Sequence, residues 1–267
     1  MKKFLVVSLA LVLVLGCLSG CFFVRIDKPV TDILKPQDES VQKLPEEKPV
    51  IETLPTVSSL PELQPAMDMN DPISEIYDLA MTDDYGYTAT YNVPQINCDS
   101  ADAQRINAEI EEVYGGILEE ELQHHEEGVS FICEYIKWWT VPNGEYSFAL
   151  IVSCLYPGGN EYFSVYNFDG MSGREIKNEE ILTHFGLTEE EFLDLTRSAA
   201  EAYFVDSFSS MSDDPYYEDR LEFTVADEQI HSGLPMFINE TGGLSVIAEI
   251  GSLAGADAYS RIIEIYG

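Results

Sequence analysis

The dipeptide Asn143-Gly144 constrains the fold more than any other feature, because it lies between two long stretches of strand-forming residues. Residues 129–141 before it and 146–156 after it are rich in aromatic and β-branched side chains, which favour strands. Asn-Gly is the most typical two-residue turn between antiparallel strands, since both residues tolerate positive φ. The sequence therefore predicts an antiparallel hairpin here.

The segments around this hairpin predict an α+β fold, an antiparallel sheet with packed helices. Apolar residues recur at helical spacing over 101–123, which predicts an amphipathic helix that Gly115-Gly116 bends. Thr188 and Glu191 form a capping box that opens a second helix. This helix is expected to bury Phe192, Leu195, Ala199 and Tyr203. Further strands are predicted at 85–93, 162–168, 221–225, 235–238, 244–250 and 260–266.

A two-residue turn fixes which residues of the hairpin face one another. If residues 142 and 145 form the hydrogen-bonded pair that closes the turn, Cys133 lies directly opposite Cys154 at a non-hydrogen-bonded position. Two interpretations remain open, a disulfide or two small buried hydrophobic residues. Cys98 is expected to be buried. The same register predicts the pairs Trp139–Phe148, Tyr135–Val152 and Ile136–Ile151.

The hairpin also carries two adjacent tryptophans, Trp138 and Trp139. Neighbouring residues of a strand point to opposite faces of the sheet. At least one tryptophan is therefore expected in the core, and the other is a candidate contact residue for a partner.

The N-terminus has the parts of an export signal. Lys2 and Lys3 precede a nearly unbroken apolar run from Phe4 to Leu15, which is too short to span a bilayer comfortably. Leu18-Ser19-Gly20-Cys21 follows and resembles the lipobox of bacterial lipoproteins. The resemblance implies a signal peptide over 1–20, lipidation of Cys21, and a location on the outer face of the bacterial cytoplasmic membrane. Cys17 is a second candidate, and an ordinary secretory signal is the alternative.

Residues 21–74 are predicted to be a Pro-rich tether. Eight of the thirteen prolines and no glycine occur between residues 25 and 72, a composition typical of semi-extended linkers without a core. Both a spacer of functional length and a poorly constrained linker remain open. The extracytoplasmic module is predicted over 75–267, either undivided or as two subdomains at about 85–165 and 166–267.

The formal net charge of −34 narrows the choice of partner. About −31 of it belongs to residues 75–267. So acidic a surface excludes general nucleic-acid binding, which needs a basic face. It attracts cationic proteins and repels anionic polymers. The alternative is that the acidity only keeps a surface protein soluble.

Motifs of catalysis and metal binding are missing from the sequence. The run His124-His125-Glu126-Glu127 lacks the spacing of a metal motif and is typical of a solvated helix end. We therefore expect no catalytic residue, no metal and no cofactor. The alternative is a cell-wall-active hydrolase that uses a pair of Asp or Glu residues, which are too abundant here to assign.

Short motifs occur in a fixed order along the chain, at 93–97, 106–110, 146–148, 156–160, 167–169, 172–173, 237–238 and 243–245. This ordered set resembles a family of extracytoplasmic modules of unknown general function. The family occurs in lysozyme-sensing anti-sigma factors and beside the catalytic domain of some peptidoglycan deacetylases. The resemblance covers 85–267 and implies an α+β binding module for a cationic protein such as lysozyme, or for a cell-wall component. Tyr156 and Asn160 are then candidate partner contacts, Asn160 standing near where the family usually has a histidine.

Overall fold

The computed structural model describes residues 64–129, 131–255 and 257–267, which belong to one compact unit. The predicted signal peptide, Cys21 and the linker up to residue 63 lie outside these residues. The unit contains a six-stranded sheet and a three-stranded sheet together with helices. The predicted α+β class is confirmed.

The first sheet has its six strands in sequence order. All neighbours are antiparallel except β2 and β3, which pair in parallel over two residue pairs. Ile76 forms a bulge in β1, and the β2 residue beside it is Pro94, whose missing N–H a bulge tolerates. The strands are β1 (Ile73–Thr82), β2 (Thr88–Ile96), β3 (Tyr135–Pro142), β4 (Ser147–Tyr156), β5 (Asn160–Asp169) and β6 (Arg174–Glu175).

The connection between β2 and β3 is the predicted amphipathic helix, in three parts. α1 (Ala101–Ile110) passes through one π-helical turn (Glu111–Gly115) into α2 (Gly116–Glu126). Its buried residues follow a four-residue spacing, which drifts by about 40° per step around an α-helix. The wider π turn reverses this drift, so that the whole row stays against the sheet. The row is Ile106, Ile110, Tyr114 and Leu118.

The second half of the unit packs three helices beside the second sheet. The predicted capping box is confirmed, because Thr188 Oγ1 accepts from Glu191 N and Glu191 Oε2 accepts from Thr188 N. The sheet has the order β7-β8-β9 and is antiparallel throughout. The elements are α3 (Asn178–Phe185), α4 (Glu189–Phe208), a 3₁₀ turn (Ser209–Met211), α5 (Tyr217–Val225), β7 (Met236–Ile238), β8 (Leu244–Gly251) and β9 (Ala258–Tyr266).

Two expectations for this half are wrong. The segment predicted as a strand at 221–225 belongs to α5, where Tyr217 and Thr224 lie two turns apart and face inwards. Acidic residues in its first turn favour the helix as well. The buried face of α4 is displaced by one residue from the expected one after Phe192, and the predicted members lie half-buried at its side. The buried residues are Phe192, Thr196, Ala200 and Phe204.

The predicted register of the central hairpin is also wrong, by three residues. Pro142 pairs with Phe148, and Asn143 N donates to Ser147 O at 3.0 Å, so that the loop contains Gly144, Glu145 and Tyr146. The predicted turn required residue 142 to donate a hydrogen bond, and a proline has no N–H. The observed pairs are Trp139–Ile151, Ile136–Cys154 and Tyr135–Leu155.

Candidate functional site

The four predicted contact residues lie on both faces of the first sheet. Trp138, Tyr156 and Asn160 share the face that also carries α1 and α2, whereas Trp139 lies on the opposite face. Trp138 Nε1 donates to Glu75 Oε1 at 3.0 Å, and Trp139 meets Phe163 edge-on at 6.4 Å between ring centroids. Both tryptophans are half-buried. The structure therefore does not bring the four candidates into one site.

Tyr156 and Asn160 face each other where β4 turns into β5. Gly158 and Gly159 form the turn between them with φ of +93° and +86°, a conformation that favours glycine. The Tyr156 ring packs edge-on against Tyr162 at 5.6 Å. The Asn160 Oδ1 atom is buried and has no hydrogen-bond partner among the described residues.

Trp139 belongs to a half-exposed surface, here called the Trp139 face, which comprises Tyr135, Lys137, Trp139, Glu161 and Phe163. Tyr135 Oη donates to Glu161 Oε1 at 2.8 Å, and Lys137 Nζ lies 2.8 Å from Tyr135 Oη and 3.0 Å from Glu161 Oε1. The Lys137 ammonium also lies 4.2 Å from the centre of the Tyr135 ring. Sequence reasoning found only Trp139. The alternation of large amphipathic residues at 135, 137 and 139 was the signal for the rest.

The polar network on this face stabilises charged groups. Burial raises the pKa of Glu161, but hydrogen bonds from Lys137 and Tyr135 outweigh it, so that the pKa lies below its usual value. Burial likewise lowers the pKa of Lys137, and its bonds to Tyr135 and Glu161 raise it above the usual value. Both side chains therefore stay ionised near neutral pH and can orient a polar ligand.

A cleft of about 580 Å³ opens on the side of the first sheet that carries Trp139, towards the far end of β5. Val165 and Asn167 of β5 form one wall, and α3 forms the other. Asn167 Nδ2 donates to Met236 O at 2.8 Å, which fixes the amide and leaves its buried Oδ1 without a partner among the described residues. Asn178 also lines the cleft, and its Nδ2 donates to Leu234 O at 3.1 Å. No sequence motif indicated this cleft.

The two predicted cysteine partners lie together on the helix-covered face. Cys133 precedes β3, and its Sγ is 2.8 Å from the Cys154 Sγ, although the two residues are not paired in the hairpin. Both are buried and are free thiols in the structure, so the disulfide stays a prediction. The thiol–thiol contact and burial raise the pKa of Cys133. Cys98 is half-buried, contrary to the expectation that it is buried.

A buried carboxylate holds the segment that carries Cys133. Glu121 Oε1 of α2 accepts from the backbone N–H groups of Ile132 (2.9 Å) and Cys133. Tyr91 Oη donates to Cys133 O at 3.0 Å from β2. Burial raises the pKa of Glu121 above its usual value, against the lowering effect of the two backbone donors. Sequence reasoning missed Glu121, because a glutamate in an acidic helix is indistinguishable from its solvated neighbours.

The described residues contain no cluster of three or more His, Cys, Asp or Glu side chains able to hold a metal ion. Within the same part of the chain, no helix combines the length and apolar character needed to cross a bilayer.

Among the comparisons with known proteins, the search of solved structures gives matches. No known family pattern and no curated protein matches the sequence. One similar solved structure is that of a DUF3298 family protein from Pseudomonas aeruginosa PAO1. The TM-score is 0.44 and the sequence identity 11%, over 73% of this chain and 90% of that chain.

Proposed function

We propose that the chain is a bacterial surface lipoprotein, anchored through Cys21 to the outer face of the cytoplasmic membrane, whose module binds a basic protein. It acts without catalysis. The anchor is supported by the apolar run and the lipobox-like segment 18–21. The class of module is supported by the family resemblance, and the class of partner by charge.

Cationic side chains are few in the module, and most of them are already paired with a carboxylate. Residues 64–267 contain seven Lys and Arg against forty Asp and Glu. Within the described residues, six of the seven cationic side chains form an ion pair with a carboxylate, which leaves most carboxylates without a cation. Such a surface attracts a basic protein over several ångströms and speeds its association. The six are Arg105, Lys137, Arg174, Lys177, Arg197 and Arg220.

The binding test uses the full chain in neutral detergent micelles and a panel of basic lysozymes. We expect binding at about 20 mM salt that weakens at least about tenfold at about 150 mM, since salt screens exposed charges. A lysozyme whose lysines have been succinylated keeps its polypeptide but reverses its charge, and it should not bind. Absence of binding at low salt would overturn the basic-partner proposal.

A cell-wall component is the second candidate partner, favoured by the Trp139 face. An exposed aromatic ring beside fixed polar groups suits a ligand with both apolar and hydroxylated surfaces, such as a sugar. Co-sedimentation with purified peptidoglycan should be lost in Trp139→Ala and kept in Trp138→Ala, which changes the neighbouring ring on the opposite face. Release of soluble wall fragments in the same tubes would instead favour the hydrolase alternative.

The anchor has its own test. Cells supplied with an alkyne-bearing fatty acid should label the wild type and Cys17→Ser, but not Cys21→Ser. Label that persists in Cys21→Ser would refute the lipidation site.

A further inference from the structure

A groove of about 420 Å³ runs between the helical connection and the edge strand β1. Its walls combine apolar and acidic side chains, and no Lys or Arg lines it. The lining residues are Tyr77, Glu111, Glu112, Gly115, Gly116, Leu118, Glu119 and Leu122.

Two glycines keep the groove open, although the backbone does not require them. Gly116 has φ −60° and ψ −44°, which any residue adopts in a helix. A Cβ added to Gly116 would meet no atom within 4 Å, and one added to Gly115 would make only ordinary contacts at 3.5 Å. Glycine destabilises a helix interior relative to alanine. The missing side chains therefore act on the shape of the surface, since they leave room above the helix.

The chemistry of the walls specifies an occupant. Tyr77 of β1 is 38% exposed and Leu122 of α2 is 42% exposed, so the groove presents apolar surface to solvent. The three glutamates Glu111, Glu112 and Glu119 form no ion pair with a described residue. A lysine or arginine side chain matches this pattern, because its alkyl stem packs on apolar surface while its charge reaches the carboxylates.

We propose that this groove is the docking surface for the basic protein partner and that it receives a Lys or Arg side chain of that partner. The alkyl stem lies over Gly116 against Tyr77, and the charged end lies among the three glutamates. This inference rests on the proposed function and adds to it the place of contact.

The first test fills the groove without changing its charge. Gly116→Leu in the full chain should raise the melting temperature or leave it unchanged, because a helical glycine is replaced. It should weaken binding of the tightest lysozyme of the panel at least about tenfold at low salt. Wild-type affinity in Gly116→Leu would overturn the groove as the docking surface.

The second test removes charge at two places. The groove variant Glu111→Gln/Glu112→Gln/Glu119→Gln should lose at least about tenfold in affinity. The control Glu190→Gln/Glu201→Gln/Asp206→Asn removes three charges from the exposed surface of α4 and should lose less than about threefold. Equal losses would show that the general field holds the partner, which overturns the groove but keeps the proposed function. A wild type that binds no lysozyme overturns both.

Discussion

The two faces of the first sheet are built from alternate residues of the same strands, but they differ in burial and in chemistry. The helix-covered face buries Ile136, Leu150 and Val152 completely and contains the two thiols. On the opposite face Val141, Ala149, Ile151 and Phe237 form a small buried cluster, and the Trp139 face beside this cluster is half-exposed. The first face can therefore be expected to determine stability, while the second keeps polar groups accessible.

The largest expected loss of unfolding free energy is at Glu121, on the helix-covered face. Glu121→Ala leaves the N–H groups of Ile132 and Cys133 without their acceptor, and burial of two unpaired donors costs about 3 kcal/mol or more. Glu121→Gln keeps one acceptor oxygen and should cost less. Urea unfolding of both variants measures the difference. An unfolding free energy of Glu121→Ala within about 0.5 kcal/mol of wild type would show that water reaches this face.

Oxidation of the thiol pair is the next largest effect. A Cys133–Cys154 disulfide should raise the free energy of unfolding by about 3 kcal/mol, because it constrains the unfolded chain. Intact mass with and without reductant should differ by two hydrogen atoms in the wild type and in Cys98→Ser, but not in Cys133→Ser. A disulfide that involves Cys98 would contradict the observed contact between the two sulfurs.

The two faces should also respond to pH in opposite directions. The pKa of Glu121 is raised in the folded state, so its contribution to stability is present below the unfolded value near 4.5 and is lost as pH rises through the folded value. The pKa of Glu161 is lowered, so its contribution is present above about 4.5 and is lost as pH falls. Stability–pH curves of Glu121→Gln and Glu161→Gln, each subtracted from wild type, should slope oppositely. Parallel curves would contradict the assignment.

The smallest expected changes in unfolding free energy are at the two adjacent tryptophans. Trp138→Phe removes the hydrogen bond to Glu75 and should cost about 1 kcal/mol. Trp139→Phe keeps an aromatic ring against Phe163 and should cost less than about 0.5 kcal/mol. Thermal unfolding of the pair checks the order, and the reverse order would mean that the Trp139 face contributes more to stability than its exposure indicates.

Local patterns in the sequence were sufficient to predict much of the fold. The helical spacing over 101–123 and the capping box at Thr188 depend on neighbouring residues only, and both are confirmed. The hairpin register failed because one proline at its end changed the loop, and a single register error shifts every pair. The contact between Cys133 and Cys154 survives that error, because Cys133 lies outside the strand in the segment held by Glu121.

The candidate surfaces were harder to predict, because each joins segments that are distant in the chain. The Trp139 face needs β3 and β5 side by side, and the cleft needs Asn167 near α3. The groove needs Tyr77 of β1, a strand that sequence reasoning missed, beside the helical connection. No spacing rule within one segment reports such neighbours.

The parallel contact between β2 and β3 has a consequence for the order in which the molecule opens. It pairs Thr90 and Tyr91 with Tyr135 and Ile136, and these two residue pairs join the β1–β2 hairpin to the rest of the described sheet. β2 and β3 are far apart in sequence, whereas the β1–β2 and β3–β4 hairpins on either side of their pairing are local. The β2–β3 pairing should therefore form last during folding and separate first during local unfolding. Amide hydrogens along β2 would then exchange faster than those of β4. When β2 and β3 separate, β2 becomes an unpaired edge strand, to which a strand from a second copy of the chain can pair.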